Sequence, residues 1–162
     1  MPHVRLYLLL ALYTAGRPSA ILDLTWDRVD FKRRTIQLDN PERDRTKKGR
    51  ATVPLDDNLA EQLLAAQKGA LTKYVIEWNG NKVESIKGSV KRTARRAKLA
   101  GVTPYVLRHT AAVWMVEGGV PMGEISQYLG HTSTAVTERT YARYSPTHLR
   151  RAASAISDRL NW

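Results

Sequence analysis

The sequence contains no cysteine, which excludes disulfides and thiolate metal sites. It has no apolar run near the ~18 residues that a membrane-spanning helix requires. The longest such run, Leu6 to Leu12, is short and sits in a helical pattern. No small-residue cleavage site follows it, so no secretory signal is apparent. Acidic residues are few: 15 Asp and Glu stand against 26 Lys and Arg, for a net charge of +11. From Ser85 to Val116 there is no acid at all, while Lys87, Lys91, Arg92, Arg95, Arg96, Lys98 and Arg108 fall there. Such an imbalance says nothing about fold but implies a polyanionic partner or a membrane surface. Glu124 and Glu138 are isolated and the four histidines are scattered, so no carboxylate pair or histidine cluster offers an obvious metal site. Internal repeats, low-complexity tracts and interdomain linkers are also lacking. What remains is ordinary for a folded domain. The 162 residues, 43% hydrophobic and 25% charged, suffice for one core. The lack of cysteine fits the cytoplasm without requiring it.

The patterning predicts a mainly α domain with a small three-stranded antiparallel sheet. Residues 4–15 place Leu6, Leu9, Leu10 and Tyr13 on one helical face, with Gly16 as the stop. Pro18 opens a second helix, whose apolar side is Ile21, Leu22 and Leu24. Val29–Phe31 and Thr35–Leu38 read as strands joined across Lys32–Arg34, and Ala51–Pro54 as a third strand after the polar loop from Asn40 to Gly49. Asp56 or Asp57 can cap a helix running to about Lys68. Tyr74–Trp78 reads as an extended segment ended by Asn79-Gly80-Asn81. Residues 85–100 form an amphipathic helix with Ile86, Val90, Ala94 and Ala97 on one face and Lys87, Lys91 and Arg95 on another, ended by Gly101. Thr103-Pro104 begins a helix that runs to Gly118-Gly119, Pro121 one that ends at Gly130, and Ser133 or Thr134 one that leads into Tyr141. Ser145-Pro146 repeats the cap-then-proline signal, so residues 146–160 are expected to be a last helix. Its stripe would be Leu149, Ala152, Ala153, Ile156 and Leu160.

Four stretches carry the chemistry. Arg17 lies in TAGRPSAILDL, Lys47 in RTKKGRATVPL, Tyr105 and Arg108 in TPYVLRHT, and His131 and Tyr141 in LGHTSTAVTERTY. Phosphoryl transfer through an enzyme nucleophile needs an attacking atom, donors around the non-bridging oxygens, an acid for the leaving oxygen, and a destination for the nucleophile's proton. Guanidinium groups suit the second task, because they stay charged and present a planar fork to phosphate. Taken singly, each residue has a plainer reading. Arg17 could be a turn arginine, Arg108 a helix-face arginine and Lys47 a mobile loop lysine. Tyr105 could be a partly buried aromatic, His131 a capping or surface group, and Tyr141 or Tyr144 packing tyrosines.

In order and together, these stretches resemble the catalytic domain of the tyrosine recombinases, the phage-integrase family. The resemblance implies metal-free transesterification on double-stranded DNA through a 3′-phosphotyrosyl intermediate, with no cofactor. It makes Arg17 and Arg108 the phosphate clamps, Lys47 the donor to the leaving 5′ oxygen, His131 a phosphate contact, and Tyr141 the nucleophile. Lys48 stays close behind Lys47, and Tyr144 competes with Tyr141. Two positions depart from the family pattern. Ala20 stands where an acid is frequent, and Tyr105 where a histidine is usual as candidate proton acceptor. A phenol with a free pKa of about 10 is a poor base at neutral pH. His109 is expected to pack or hydrogen-bond outside the site. Lys48, Arg50, Lys87, Lys91, Arg92, Arg95 and Arg96 are the candidate DNA contacts. The resemblance further implies a bacterial or phage-encoded cytoplasmic protein that assembles as a tetramer on DNA, and a chain that is one catalytic domain without the family's N-terminal DNA-binding domain. It also implies that the last helix can pack on a neighbouring protomer rather than on its own core. Other readings stay open: a catalytically degenerate DNA-binding domain, a type IB topoisomerase-like nicking-closing enzyme or, more distantly, an RNA-binding helical domain.

Overall fold

A computed structural model describes residues 2–41, 51–157 and 159. Helix α1 (Pro2–Thr14) buries Val4, Leu6, Tyr7, Leu10 and Ala11. Tyr13, expected on that buried face, is instead 36% exposed, and Tyr7 is fully enclosed. Helical period 3.6 places Tyr7, Leu10 and Thr14 in line, whereas Tyr13 falls off the stripe. The helix stops one residue earlier than glycine chemistry suggested, because Ala15 itself adopts φ 48°. Gly16 is needed for space: a Cβ there would meet Ile21 and Thr14 at 3.0 Å and Leu38 at 3.1 Å.

Helix α2 (Pro18–Leu22) follows with proline in its first turn. The strands β1 (Val29–Asp30), β2 (Thr35–Gln37) and β3 (Thr52–Pro54) form an antiparallel sheet in the order β1-β2-β3. Asp56 caps α3 (Asp57–Gln67) by accepting from the Asn58 amide at 2.9 Å. The segment around Asn79-Gly80 is more than a terminator. It is the tight turn of a hairpin joining β4 (Glu77–Trp78) to β5 (Asn81–Lys82), with Asn79 and Gly80 both at positive φ, the conformation that an Asn-Gly pair favours. Lys82 ties this hairpin to the end of α2 through Asp23 at 2.7 Å.

Helix α4 (Lys87–Arg96) buries Val90 and Ala94. Ala97, expected on the buried face, is exposed. The helix ends before Gly101, with Lys98 left-handed at φ 56° and the Leu99 amide closing on the Ala94 carbonyl at 2.9 Å, a helix-terminating bond pattern. Helix α5 (Pro104–Glu117) starts on Thr103, whose hydroxyl accepts from the Val106 amide at 3.2 Å. Helix α6 (Met122–Leu129) ends at Gly130 with φ 62°, and α7 (Thr134–Tyr141) starts on Ser133. The last helix, α8, covers Arg150–Ser157 rather than beginning at Pro146. Residues 146–149 form turns, and Leu149 takes φ 59°. Ser145 caps only the Thr147 amide, at 3.4 Å. Of the expected stripe on α8, Leu149 is 67% and Ile156 63% exposed, so it does not fold back on this chain's core; Leu160 lies outside the described residues. No helix among the described residues is long and apolar enough to cross a membrane.

Two cores result. The larger gathers side chains from α1 to α4 and the sheet, among them Leu10, Ile21, Ile36, Leu59, Leu63 and Ile86. The smaller lies under α5, α6 and α7 and consists of Ala15, Ala111, Ala112, Val116, Ile125, Leu129 and Tyr141. Helix α1 packs along α5, and Tyr128 touches both cores. Arg17, Arg108, His131 and Tyr141 sit at this seam.

Candidate active site

Arg108 projects from the second turn of α5 into the seam and is 7% exposed. Its Nη1 donates to the Ala15 carbonyl at 2.5 Å and its Nη2 to the Leu129 carbonyl at 2.9 Å. Those acceptors lie at the C-terminal ends of α1 and α6. Carbonyls there have no partner within their own helix and carry the negative end of its dipole. The left-handed turn at Ala15, costing about 1 kcal/mol for a residue with a Cβ, is part of what aims that carbonyl. No carboxylate pairs with Arg108 among the described residues. Burial, with Arg17 nearby, pushes its guanidinium down to about 10, so it remains cationic at neutral pH. A buried cation held by two neutral carbonyls and a neutral imidazole leaves the site short of one anion. Five N–H donors per guanidinium leave capacity for one beyond these contacts.

Arg17 forms the other side. It precedes α2 in extended backbone, and its carbonyl accepts from Ala20 and Ile21 at 2.9 and 3.1 Å. It is half-buried and lines one small hollow with Gly16, Ala20, Arg108 and Leu129. Ala20, 1% exposed, fills the position where the pattern frequently has an acid.

Gly130 turns the chain so that His131 closes α6, its amide bonding the Ser126 carbonyl at 2.9 Å. The imidazole points back into the seam. Its Nε2 meets Arg108 Nη2 at 3.2 Å and its Nδ1 meets Thr137 Oγ1 at 2.8 Å. Because guanidinium can only donate, Nε2 is the acceptor, and the ring hydrogen sits on Nδ1, donating to Thr137. Burial first, then Arg108 and Arg17, push His131 down to about 4. It is a neutral imidazole at physiological pH.

Tyr141 ends α7 and is 3% exposed. Burial raises its phenol above the ordinary value, Arg108 opposes that shift, and Tyr144 adds to it. Its hydroxyl lies 2.6 Å from His109 Nδ1, with the rings 5.8 Å apart. Tyr144 is 40% exposed and stacks with its neighbour Arg143 instead. His109 and Thr137 are the contacts that sequence reasoning missed. Both depend on packing α7 against α5 and α6, a non-local event without periodic signature.

Tyr105 opens α5, is 55% exposed, and reaches Arg108 only through its electrostatic influence. It lines a cleft of about 880 Å³ between α2, α4 and α5, together with Lys87 and Lys91. Lys87, Lys91, Arg92, Arg95 and Arg96 are all exposed along α4. Lys47, Lys48 and Arg50 lie outside the described residues. Among the described residues no group of three or more His, Asp or Glu side chains could hold a metal ion.

A model of the phage integrase family matches residues 2–148. The integrase of Salmonella phage P22 is 32% identical over 160 residues, which cover 90% of this chain and 40% of that protein. The chain therefore spans less than half the length of that relative. Two solved structures share the fold. The catalytic domain of bacteriophage HP1 integrase aligns at TM-score 0.64 and 26% identity, over 92% of this chain and 79% of that one. The XerH site-specific recombinase in a post-cleavage complex aligns at TM-score 0.76 and 19% identity, over 94% and 45%.

Proposed function

The chain belongs to the phage integrase family, and on that premise we propose that it is the catalytic domain of a site-specific recombinase that cuts and rejoins double-stranded DNA through a 3′-phosphotyrosyl bond on Tyr141. The observation that carries this reading is Arg108: a buried guanidinium seated between two helix ends, with Arg17 beside it and no carboxylate partner among the described residues. A phosphodiester supplies the missing anion. The phenol of Tyr141 lies within the electrostatic reach of that guanidinium. Arg17 and Arg108 hold the non-bridging oxygens, and their charge stabilises the transition state without calling on a metal. Lys47, with Lys48 as the neighbouring alternative, protonates the leaving 5′ oxygen. Tyr105 contributes a hydrogen bond to phosphate rather than a base. His131, neutral and tied to Thr137, holds Arg108 through its Nε2 lone pair, so it acts on the phosphate by orienting that guanidinium.

The exposed bases of α4, with Lys48 and Arg50, follow the DNA backbone. The XerH structure is of a recombinase bound to its palindromic substrate, which supports DNA as the partner here. Strand exchange then takes four protomers on two duplexes, and the exposed Leu149 and Ile156 of α8 supply a surface for contact between neighbours.

The test is covalent trapping on a nicked suicide DNA from the region flanking the gene. An SDS-stable adduct formed by the unaltered chain and lost with Tyr141→Phe is expected. An adduct that survives Tyr141→Phe, or none with the unaltered chain, contradicts the reading.

A further inference from the structure

The chemistry above leaves the phenolic proton of Tyr141 without a destination. The residue at the position where a histidine is usual is Tyr105, an exposed phenol on the first turn of α5. His131 is also unsuited. Its Nε2 lone pair faces Arg108 Nη2 at 3.2 Å and its Nδ1 is committed to Thr137 at 2.8 Å, so both nitrogens are occupied. No carboxylate bonds the Tyr141 hydroxyl among the described residues, and the group that does touch it is His109 Nδ1 at 2.6 Å.

We propose that His109 is a catalytic residue that accepts the Tyr141 proton. This rests on the transesterification reading above. The phenol O–H donates to Nδ1 of a neutral imidazole whose own hydrogen is on Nε2. As the phenolic oxygen attacks, its O–H bond breaks and an N–H bond forms on His109. The new O–P bond replaces the P–O5′ bond, and the 5′ oxygen takes a proton from the loop ammonium assigned to Lys47. His109 holds the transferred proton as imidazolium while the DNA is covalently bound. In religation the 5′ hydroxyl attacks and gives its proton back to the loop amine, the O–P bond to Tyr141 breaks, and His109 returns its proton to the departing phenolate.

The placement suits this task. His109 is exposed, so water reaches the imidazole that takes the proton. It also directly follows Arg108 on α5, so the same helix presents the phosphate clamp and the proton acceptor to α7. The groups facing the phenol are His109 and Arg108 from α5 and Tyr144 from the turn after α7. Of these, His109 alone carries a nitrogen lone pair that can accept the proton.

The experiment measures single-turnover cleavage of the suicide DNA by the full chain, by His109→Ala and by His109→Asn. Each is also made with 2,3,5-trifluorotyrosine at position 141, which ionises far more readily than tyrosine. Asparagine can keep a hydrogen bond to the phenol but cannot carry its proton. A proton acceptor of this kind is worth ~10²–10⁴-fold in rate, so both variants should slow cleavage by at least ~10²-fold, and trifluorotyrosine should restore most of that loss. Cleavage by His109→Asn at the unaltered rate would reduce His109 to a positioning contact and overturn the proposal while leaving the recombinase reading intact. Loss in both variants with no recovery from trifluorotyrosine would overturn it too. If the unaltered chain forms no adduct, the recombinase reading itself fails and takes this one with it.

Discussion

The larger core, under α1 to α4, is filled by leucine, isoleucine and valine side chains, several with no exposed surface at all. The smaller core, under α5 to α7, is lined by alanines and closed by Tyr141. The first is held by apolar area, which is non-directional and tolerant of rearrangement. The second brings three helices close enough for directional contacts: Arg108 to the Ala15 and Leu129 carbonyls, His131 to Thr137, His109 to Tyr141. Small residues permit that approach, and polar contacts then fix it. One region supplies stability; the other spends some of it on holding a cation away from water.

That contrast can be broken most forcefully at Arg108. Arg108→Ala leaves two helix-end carbonyls without their donor, at about 1–3 kcal/mol each, and removes the proposed phosphate clamp. Loss of adduct together with a clear fall in urea midpoint is expected; an unchanged midpoint would show that the buried guanidinium contributes nothing to packing. Next comes a matched pair. Leu63→Ala in the first core should cost about 2–5 kcal/mol, and Ala112→Leu in the second about 1–3 kcal/mol. Cleavage per folded molecule should survive the former and collapse in the latter. Equal effects on cleavage would erase the distinction between the two cores.

A smaller effect comes from pH. His131 is pushed down to about 4 in the folded chain, below the ordinary value of about 6.5 for an unfolded histidine. Between those values the unfolded state binds more protons, so the contribution of this residue is full above about 6.5 and is lost as pH falls toward 4. Denaturation across that window should show a slope that His131→Asn reduces; an identical slope would mean that His131 is not held neutral. The smallest change lies far from the seam. Lys98→Gly removes a left-handed lysine after α4 and should raise stability by about 0.5 kcal/mol without altering cleavage.

The same contrast explains what the sequence discloses. The first core is written in periodicity and punctuation: Leu6 and Leu10, Pro18, and Ile86 with Val90 fall where spacing puts them, and of the two possible caps, Asp56 and Asp57, it is Asp56 that caps α3. Punctuation also marks the helix start at Thr103 and the turn at Gly130 that delivers His131, and it narrows the start of α7 to Ser133 or Thr134, of which Ser133 is the cap. Where two local signals compete, the structure departs from the sequence pattern. Ser145-Pro146 looked like a helix start, yet α8 begins at Arg150, after the left-handed Leu149. Asn79-Gly80 looked like a stop but joins two strands. The residue types of the candidate site, Arg17, Arg108, His131 and Tyr141, are legible in the sequence, and the structure brings them together at the seam. The wiring of the site is not legible there, because the His109–Tyr141 and His131–Thr137 contacts join separate helices and depend on how closely they pack.

On the proposed mechanism Tyr141, and not Tyr144, carries the DNA, and the sequence makes this simple to test. Trypsin cutting after Arg139 and Arg143 places the two tyrosines on different peptides, Thr140–Arg143 and Tyr144–Arg150. The trapped adduct, digested with nuclease and trypsin, should show the residual nucleotide mass on Thr140–Arg143 by mass spectrometry. The same mass on Tyr144–Arg150 would contradict the account, since the exposed Tyr144 would then be the nucleophile and the buried phenol beside Arg108 a packing residue.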